Sequence, residues 1–116
     1  MRKNERKKIF QMYLEALIYE GGDNNIVIFS EISTKKFIQA AGTKGDRLVI
    51  IDLPKISLDS LERKNLTRIF VLFEEMEQAY QGQATPEQGS LILEKIFREV
   101  YLLPDNYSLE TELNLS

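Results

Sequence analysis

The chain has 116 residues, room for one domain, with 43% hydrophobic and 28% charged residues and a formal net charge of −3. It contains neither cysteine nor histidine, which excludes disulfides, thiolate nucleophiles and thiolate or imidazole metal ligands, and removes the commonest general base. No apolar run approaches the roughly 20 residues that span a bilayer. The basic start is followed by an apolar stretch, but Gln11, Glu15 and Glu20 interrupt it and no small-residue cleavage site follows. No secretory signal is read, and the expected location is the cytoplasm, without membrane attachment.

In chain order, an apolar-periodic helix is predicted from about Asn4 to Glu20, stopped by Gly21-Gly22. Three strand-like runs follow: Ile26–Phe29, Lys36–Ala41 and Arg47–Leu53. The turns between them are short, which favours an antiparallel meander, since parallel pairing needs a long crossover. Pro54 closes this segment. A helix capped by Ser57 or Asp59 is expected to run to about Tyr80, with Gln81-Gly82-Gln83-Ala84 as a short linker. Thr85-Pro86-Glu87-Gln88 is a capping box with proline in the first turn, so a third helix starts there and ends before Pro104. From Tyr107 to Leu115 polar and apolar residues alternate, the pattern of a half-buried strand at a sheet edge. The predicted fold is a single α+β domain over residues 1–116, in the order α-β-β-β-α-α-β, with an antiparallel sheet packed by three helices.

The apolar pattern is generous for one such domain. The runs Ile26–Phe29 and Leu48–Ile51 are apolar on both faces, whereas an antiparallel sheet can leave one face wet and alternate. On a wheel, Leu58, Leu61, Leu66, Ile69, Phe70, Leu72, Phe73 and Met76 cover an arc of roughly 180°, against roughly 100° for an ordinary surface helix. A helix over that span would be about 35 Å long. A compact chain of this size has a radius of gyration of roughly 13 Å. Either three helices cover both sheet faces, with scattered apolar residues left exposed, or a helix face or sheet face is covered by a second copy or another protein.

No motif carries chemistry. Gly42-Thr43-Lys44-Gly45 lacks the spacing and the helix of a phosphate loop and reads as a hairpin turn. Glu74, Glu75 and Glu77 read as a solvated helix face without a second ligand set. The five tyrosines and six phenylalanines are core material, without the basic–aromatic interleaving of a single-strand binder. No catalytic residue, metal or cofactor is assigned.

Phe37-Ile38-Gln39 followed by Leu48-Val49-Ile50-Ile51-Asp52-Leu53-Pro54, and the closing Ile96-Phe97-Arg98-Glu99-Val100-Tyr101-Leu102-Leu103-Pro104, resemble the pattern of the YbjN-like, type III secretion chaperone-like domains. The opening helix and its Gly-Gly-Asp break are similar as well. The resemblance implies a twisted antiparallel sheet packed by helices, no catalysis, homodimers, and, in the secretion chaperones, extended client segments held on apolar patches. It also implies a further strand pair between the second and third helices, for which only Gln81 to Ser90 is left by the elements assigned above.

The leading functional expectation is therefore a non-enzymatic, chaperone- or adaptor-like module that binds itself and another protein, with Leu66, Phe70, Phe73, Phe29 and Phe37 at the interface. The alternative is a regulator that binds nucleic acid or another polyanion through Arg2, Lys3, Arg6, Lys7 and Lys8, because residues 1–8 hold five basic side chains against the single acid Glu5. The plain reading of that basic run is a frayed, solvated helix start.

Overall fold

A computed structural model describes residues 1–69 and 73–116. Its elements are α1 (Lys3–Tyr19), β1 (Asn25–Glu31), β2 (Phe37–Gly42), β3 (Val49–Pro54), a 3-10 turn (Lys55–Ser57), α2 (Ser60–Ile69), β4 (Glu74–Glu75), β5 (Ala79–Ala84), α3 (Pro86–Lys95), a π turn (Ile96–Val100) and β6 (Leu109–Asn114). The architecture is the expected α+β one. The strands form a six-stranded sheet in the order β4-β5-β3-β2-β1-β6, and every pairing is antiparallel. The meander β1-β2-β3 and a C-terminal strand at a sheet edge are as read from the sequence, while the place of that strand beside β1 comes from the pairing alone.

The segment after α2 is not. The helix expected to reach Tyr80 ends at Ile69, and Ala79–Ala84 forms strand β5 along the whole of β3, from Val49 opposite Ala84 to Pro54 opposite Ala79. The strand pair that the resemblance implied is thus present as β4 and β5. Glu-Glu-Met-Glu-Gln-Ala is good helix-forming sequence, but an unpaired edge of β3 offers a full ladder of hydrogen bonds, and tertiary pairing outweighs a propensity of a few tenths of a kcal/mol per residue. Gly82, read as part of a linker, lies in this strand where a Cβ would come within 2.6 Å of the Phe73 ring. The 180° apolar arc consequently does not exist as one surface: Leu58 and Leu66 are buried, whereas Leu61 and Met76 are exposed.

Both outer helices have the caps that the sequence announces. Asp59 accepts from the Glu62 N–H at 2.8 Å while Glu62 accepts from the Asp59 N–H at 2.9 Å, and Thr85 and Gln88 form the same reciprocal pair. Helices α1 and α3 lie on one face of the sheet. Phe10 stacks on Phe97 with centroids 6.0 Å apart and meets Phe29 edge-on at 5.1 Å, within a core that includes Leu14, Leu17, Ile38, Ile51 and Leu93. At Gly89 a Cβ would stand 2.8 Å from Leu14 Cδ1, so glycine lets α1 and α3 approach without moving that side chain.

The end of α1 is held by a buried side chain from the sheet. Asn25 Nδ2 donates to the carbonyls of Leu17, Glu20 and Gly22, each at 2.9 Å, and Asn25 Oδ1 accepts from the Gly22 N–H at 3.3 Å and the Ser116 N–H at 2.9 Å. The β2–β3 turn adds to this, Gly45 N–H donating to the Ile18 carbonyl at 2.9 Å. The motif Gly42-Thr43-Lys44-Gly45 therefore turns a hairpin and finishes a helix. Asn25→Ala removes these partners from buried backbone groups and should cost about 2–3 kcal/mol, read as a lowered urea midpoint with unchanged slope.

Candidate interaction surface

Side chains alternate across a strand, so the pairing register assigns each strand residue to a face. Val27, Phe29, Ile38, Ala40, Val49, Ile51 and Leu53 face the helices and are fully buried. The intervening residues form the other face, on which no described helix lies. Across it, Ile26 stands opposite Ala41 and Ala41 opposite Ile50, a row of three apolar side chains on the adjacent strands β1, β2 and β3. Ile26 and Ile50 are 38% and 36% exposed, and Leu48, at the entry to β3, is 43% exposed. Ile28 and Phe37 lie on the same face, half-buried. A hollow of about 550 Å³ opens at the end of this row, between Ile50, Leu48, Ala41 and the turn residues Thr43, Gly45 and Arg47.

Of the residues nominated for an interface, Leu66 and Phe29 are wholly buried core residues and present nothing to a partner. Phe73 packs against the core beside Gly82, and Phe70 falls outside the described residues. Of the four that are described, Phe37 alone is on the open face. The residues that do form the open apolar row were flagged only as a pattern, in the double-faced apolar runs Ile26–Phe29 and Leu48–Ile51, because periodicity says that a face is apolar without saying which face is covered.

The basic N-terminal set divides differently. Arg6 is fully buried. Its Nε and Nη2 donate to the Glu94 carboxylate at 2.5–3.2 Å, and its Nη1 donates to the carbonyls of Met1 and Tyr107 at 2.5 and 3.1 Å. The guanidinium also lies 3.9 Å above the centre of the Tyr107 ring, whose hydroxyl donates to Glu94 at 2.9 Å. Burial opposes the Arg6 cation, but the contributions of Glu94 and Tyr107 together outweigh it and the net shift of its pKa is upward. Burial first, and the neighbouring Glu94 carboxylate second, push the Tyr107 hydroxyl well above its ordinary range. This residue is therefore a structural staple between α1, α3 and the approach to β6, and is closed to phosphate. The helix start is correspondingly tied down, the Met1 amine donating to the Asn106 carbonyl at 3.0 Å.

Arg2, Lys3, Lys7 and Lys8 remain exposed. Lys3 and Lys7 line a shallow groove of about 470 Å³ between α1 and α3, which Lys95 and Arg98 share with Glu94, Glu99 and Asp105. The mixture of signs makes it a poor anion site. Glu74, Glu75 and Glu77 are exposed but lie on β4 and its turn instead of a helix, Glu75 pairing with Lys55 at 2.7 Å. No helix among the described residues is long and apolar enough to cross a membrane. Comparison with protein-family models, with curated proteins and with solved structures finds no match to this chain.

Two outcomes test these assignments. Arg6→Ala leaves Glu94 buried without its cation and should cost about 3–5 kcal/mol, whereas Arg6→Met with Glu94→Leu should come close to wild-type stability in a double-mutant cycle. At the end of β1, burial raises the pKa of Glu31, but the N–H groups of Ser33 and Thr34, both at 2.8 Å, outweigh it and the net shift is downward. A depressed folded-state pKa gives stability that is present above the ordinary value of 4.5 and is lost as pH falls through the folded-state pKa below it. Glu31→Gln should thus destabilise at pH 7, and the difference from wild type should close below pH 4.5 in urea titrations run across the acid range.

Proposed function

We propose that this chain is a non-enzymatic protein-binding module, chaperone- or adaptor-like, acting in the cytoplasm through the open face of its sheet. The observation that carries the reading is the contiguous row Ile26–Ala41–Ile50 on three adjacent central strands, extended by Leu48, on a face over which no helix lies among the described residues. Singly exposed apolar residues are ordinary on a protein surface, but an aligned group on an uncovered sheet face is the usual mark of a binding surface. With strands about 4.8 Å apart and roughly six residues long, the face offers on the order of 500 Å² in projection, enough for a small specific interface. The presence of β4 and β5 also removes the one departure from the chaperone-like pattern that the sequence carried.

The polyanion reading is weaker by a specific observation. Arg6 is committed to Glu94, and the groove that Lys3 and Lys7 line with Lys95 and Arg98 also holds Glu94, Glu99 and Asp105, so it is not a uniformly basic surface.

The test is suppression of aggregation of a thermally unfolding reporter enzyme at stoichiometric ratios. Wild type should suppress light scattering, and Ile26→Thr with Ile50→Thr should lose most of the effect. Threonine keeps the β-branched side chain that the strands favour, so far-ultraviolet circular dichroism should be unchanged. Equal suppression by the folded variant, or none by wild type, would defeat the proposal.

A further inference from the structure

Every one of the 15 lysines and arginines lies outside the six strands. The strands do contain acids, and the register places Asp52, Glu74, Glu110 and Glu112 on the open face. Glu112 stands opposite Ile28, Glu110 opposite Ser30, Asp52 opposite Gln39 and Glu74 opposite Gln81. Asp52 accepts from Gln81 at 2.8 Å, and Lys35 reaches Glu110 from the β1–β2 turn at 3.4 Å. Glu74 and Glu112 have no ion partner among the described residues. Arg47 lines the hollow at the end of the apolar row, next to Asp46 in the chain. The helix layer has both signs with bases in excess: exposed Lys3, Lys7 and Lys8 on α1, Arg63, Lys64 and Arg68 on α2 and Lys95 on α3 outnumber the exposed Glu5, Glu87 and Glu99. The open face is therefore apolar along the row Ile26–Ala41–Ile50, with the polar pair Gln39 and Asp52 beside it on β2 and β3, and acidic at both margins, β6 on one side and β4 on the other.

Resting on the protein-binding reading, we infer that the occupant of this face is a basic amphipathic segment of another protein. Its apolar side chains would cover Ile26, Ala41 and Ile50, with lysines or arginines over Glu110 and Glu112 along one flank and Glu74 along the other. The apolar centre spans two strand spacings, about 10 Å, which is the width of one helix with its side chains. The acidic margins lie about 24 Å apart, within reach of long basic side chains projecting from both flanks of such a segment. A second copy of this chain is a worse fit. In a two-fold face-to-face pairing with the strands aligned, the β6 margin meets either the partner's β6 margin or its β4 margin, and carboxylates oppose carboxylates in both cases. Nucleic acid is repelled by the same charges.

The test uses the full chain and two fluorescent 18-residue peptides, one of leucine and lysine in a helical amphipathic pattern, the other with glutamate at each lysine position, followed by anisotropy at low and high salt. The lysine peptide should bind at least tenfold more tightly than the glutamate peptide. Glu74→Lys, Glu110→Lys and Glu112→Lys together should abolish or invert that preference, whereas Glu87→Lys with Glu99→Lys, which changes exposed charges on α3 and the π turn, should leave it in place. Equal loss in the two charge variants would show attraction to net charge alone and overturn the inference. Equal binding of both peptides, lost in Ile26→Thr with Ile50→Thr, would overturn it while leaving the protein-binding reading standing. A dimer by light scattering that the same isoleucine variant dissolves would assign the face to a second copy, and absence of binding by either peptide would also reject a basic occupant.

Discussion

A β-strand sends successive side chains to opposite faces, and here the described helices that pack on the sheet do so from one side. The rest of the molecule follows from that constraint. The odd residues of β1 and β3, Val27, Phe29, Val49, Ile51 and Leu53, are removed from water against α1, α3 and the π turn. Their even neighbours Ile26, Ile28 and Ile50, chemically almost the same, are left on the far side. An extra layer on that side would need another helix or another molecule. The radius of gyration, 13.2 Å, matches that of a compact chain of this length, so the uncovered face belongs to a fully folded unit and is not a sign of loose packing.

Two buried polar side chains hold the layers in register. Asn25 joins the end of α1 to the start of β1 and to the C-terminal residue, through donors and acceptors that would otherwise be lost inside the molecule. Arg6 joins the first turn of α1 to α3 and to the backbone just before β6. Each connects regions far apart in the chain, and each uses a residue type that on the surface would suggest a loop or a binding patch. A basic run at a helix start is read by charge count, yet one of its members is consumed by the fold. Burial of a guanidinium is tolerable because a carboxylate, two carbonyls and an aromatic face surround it together.

The division of charge between the two layers has the same origin as the division of apolar residues. Basic residues sit on helices and turns, where their long stems reach solvent. The strands contain acids only, and the acids that share the open face stand mainly at its margins. That face thus has carboxylates around an apolar row, and the helix layer, where bases outnumber acids, is set apart from it by the thickness of the core.

Capping boxes, glycine stops and strand alternation are local, which is why α1, the meander, α2's first turn, α3 and β6 are all legible in the amino-acid sequence. The same locality explains the failure at Glu74–Ala84: the helical preference of those residues is real, and only the free edge of β3, some thirty residues earlier, makes a strand of them. Excess apolar character in β1 and β3 was likewise legible, but not its location, since period-two alternation leaves the two faces equivalent until helices choose one. By itself the sequence determined an α+β domain with no thiol or imidazole chemistry, a basic first helix, and strands richer in apolar residues than a half-wet sheet needs. Only the tertiary structure decided that Phe29 and Leu66 are core, that Arg6 is spent on Glu94, and that Ile26, Ala41 and Ile50 line up in the open, because register and one-sided helix packing are relations between distant segments.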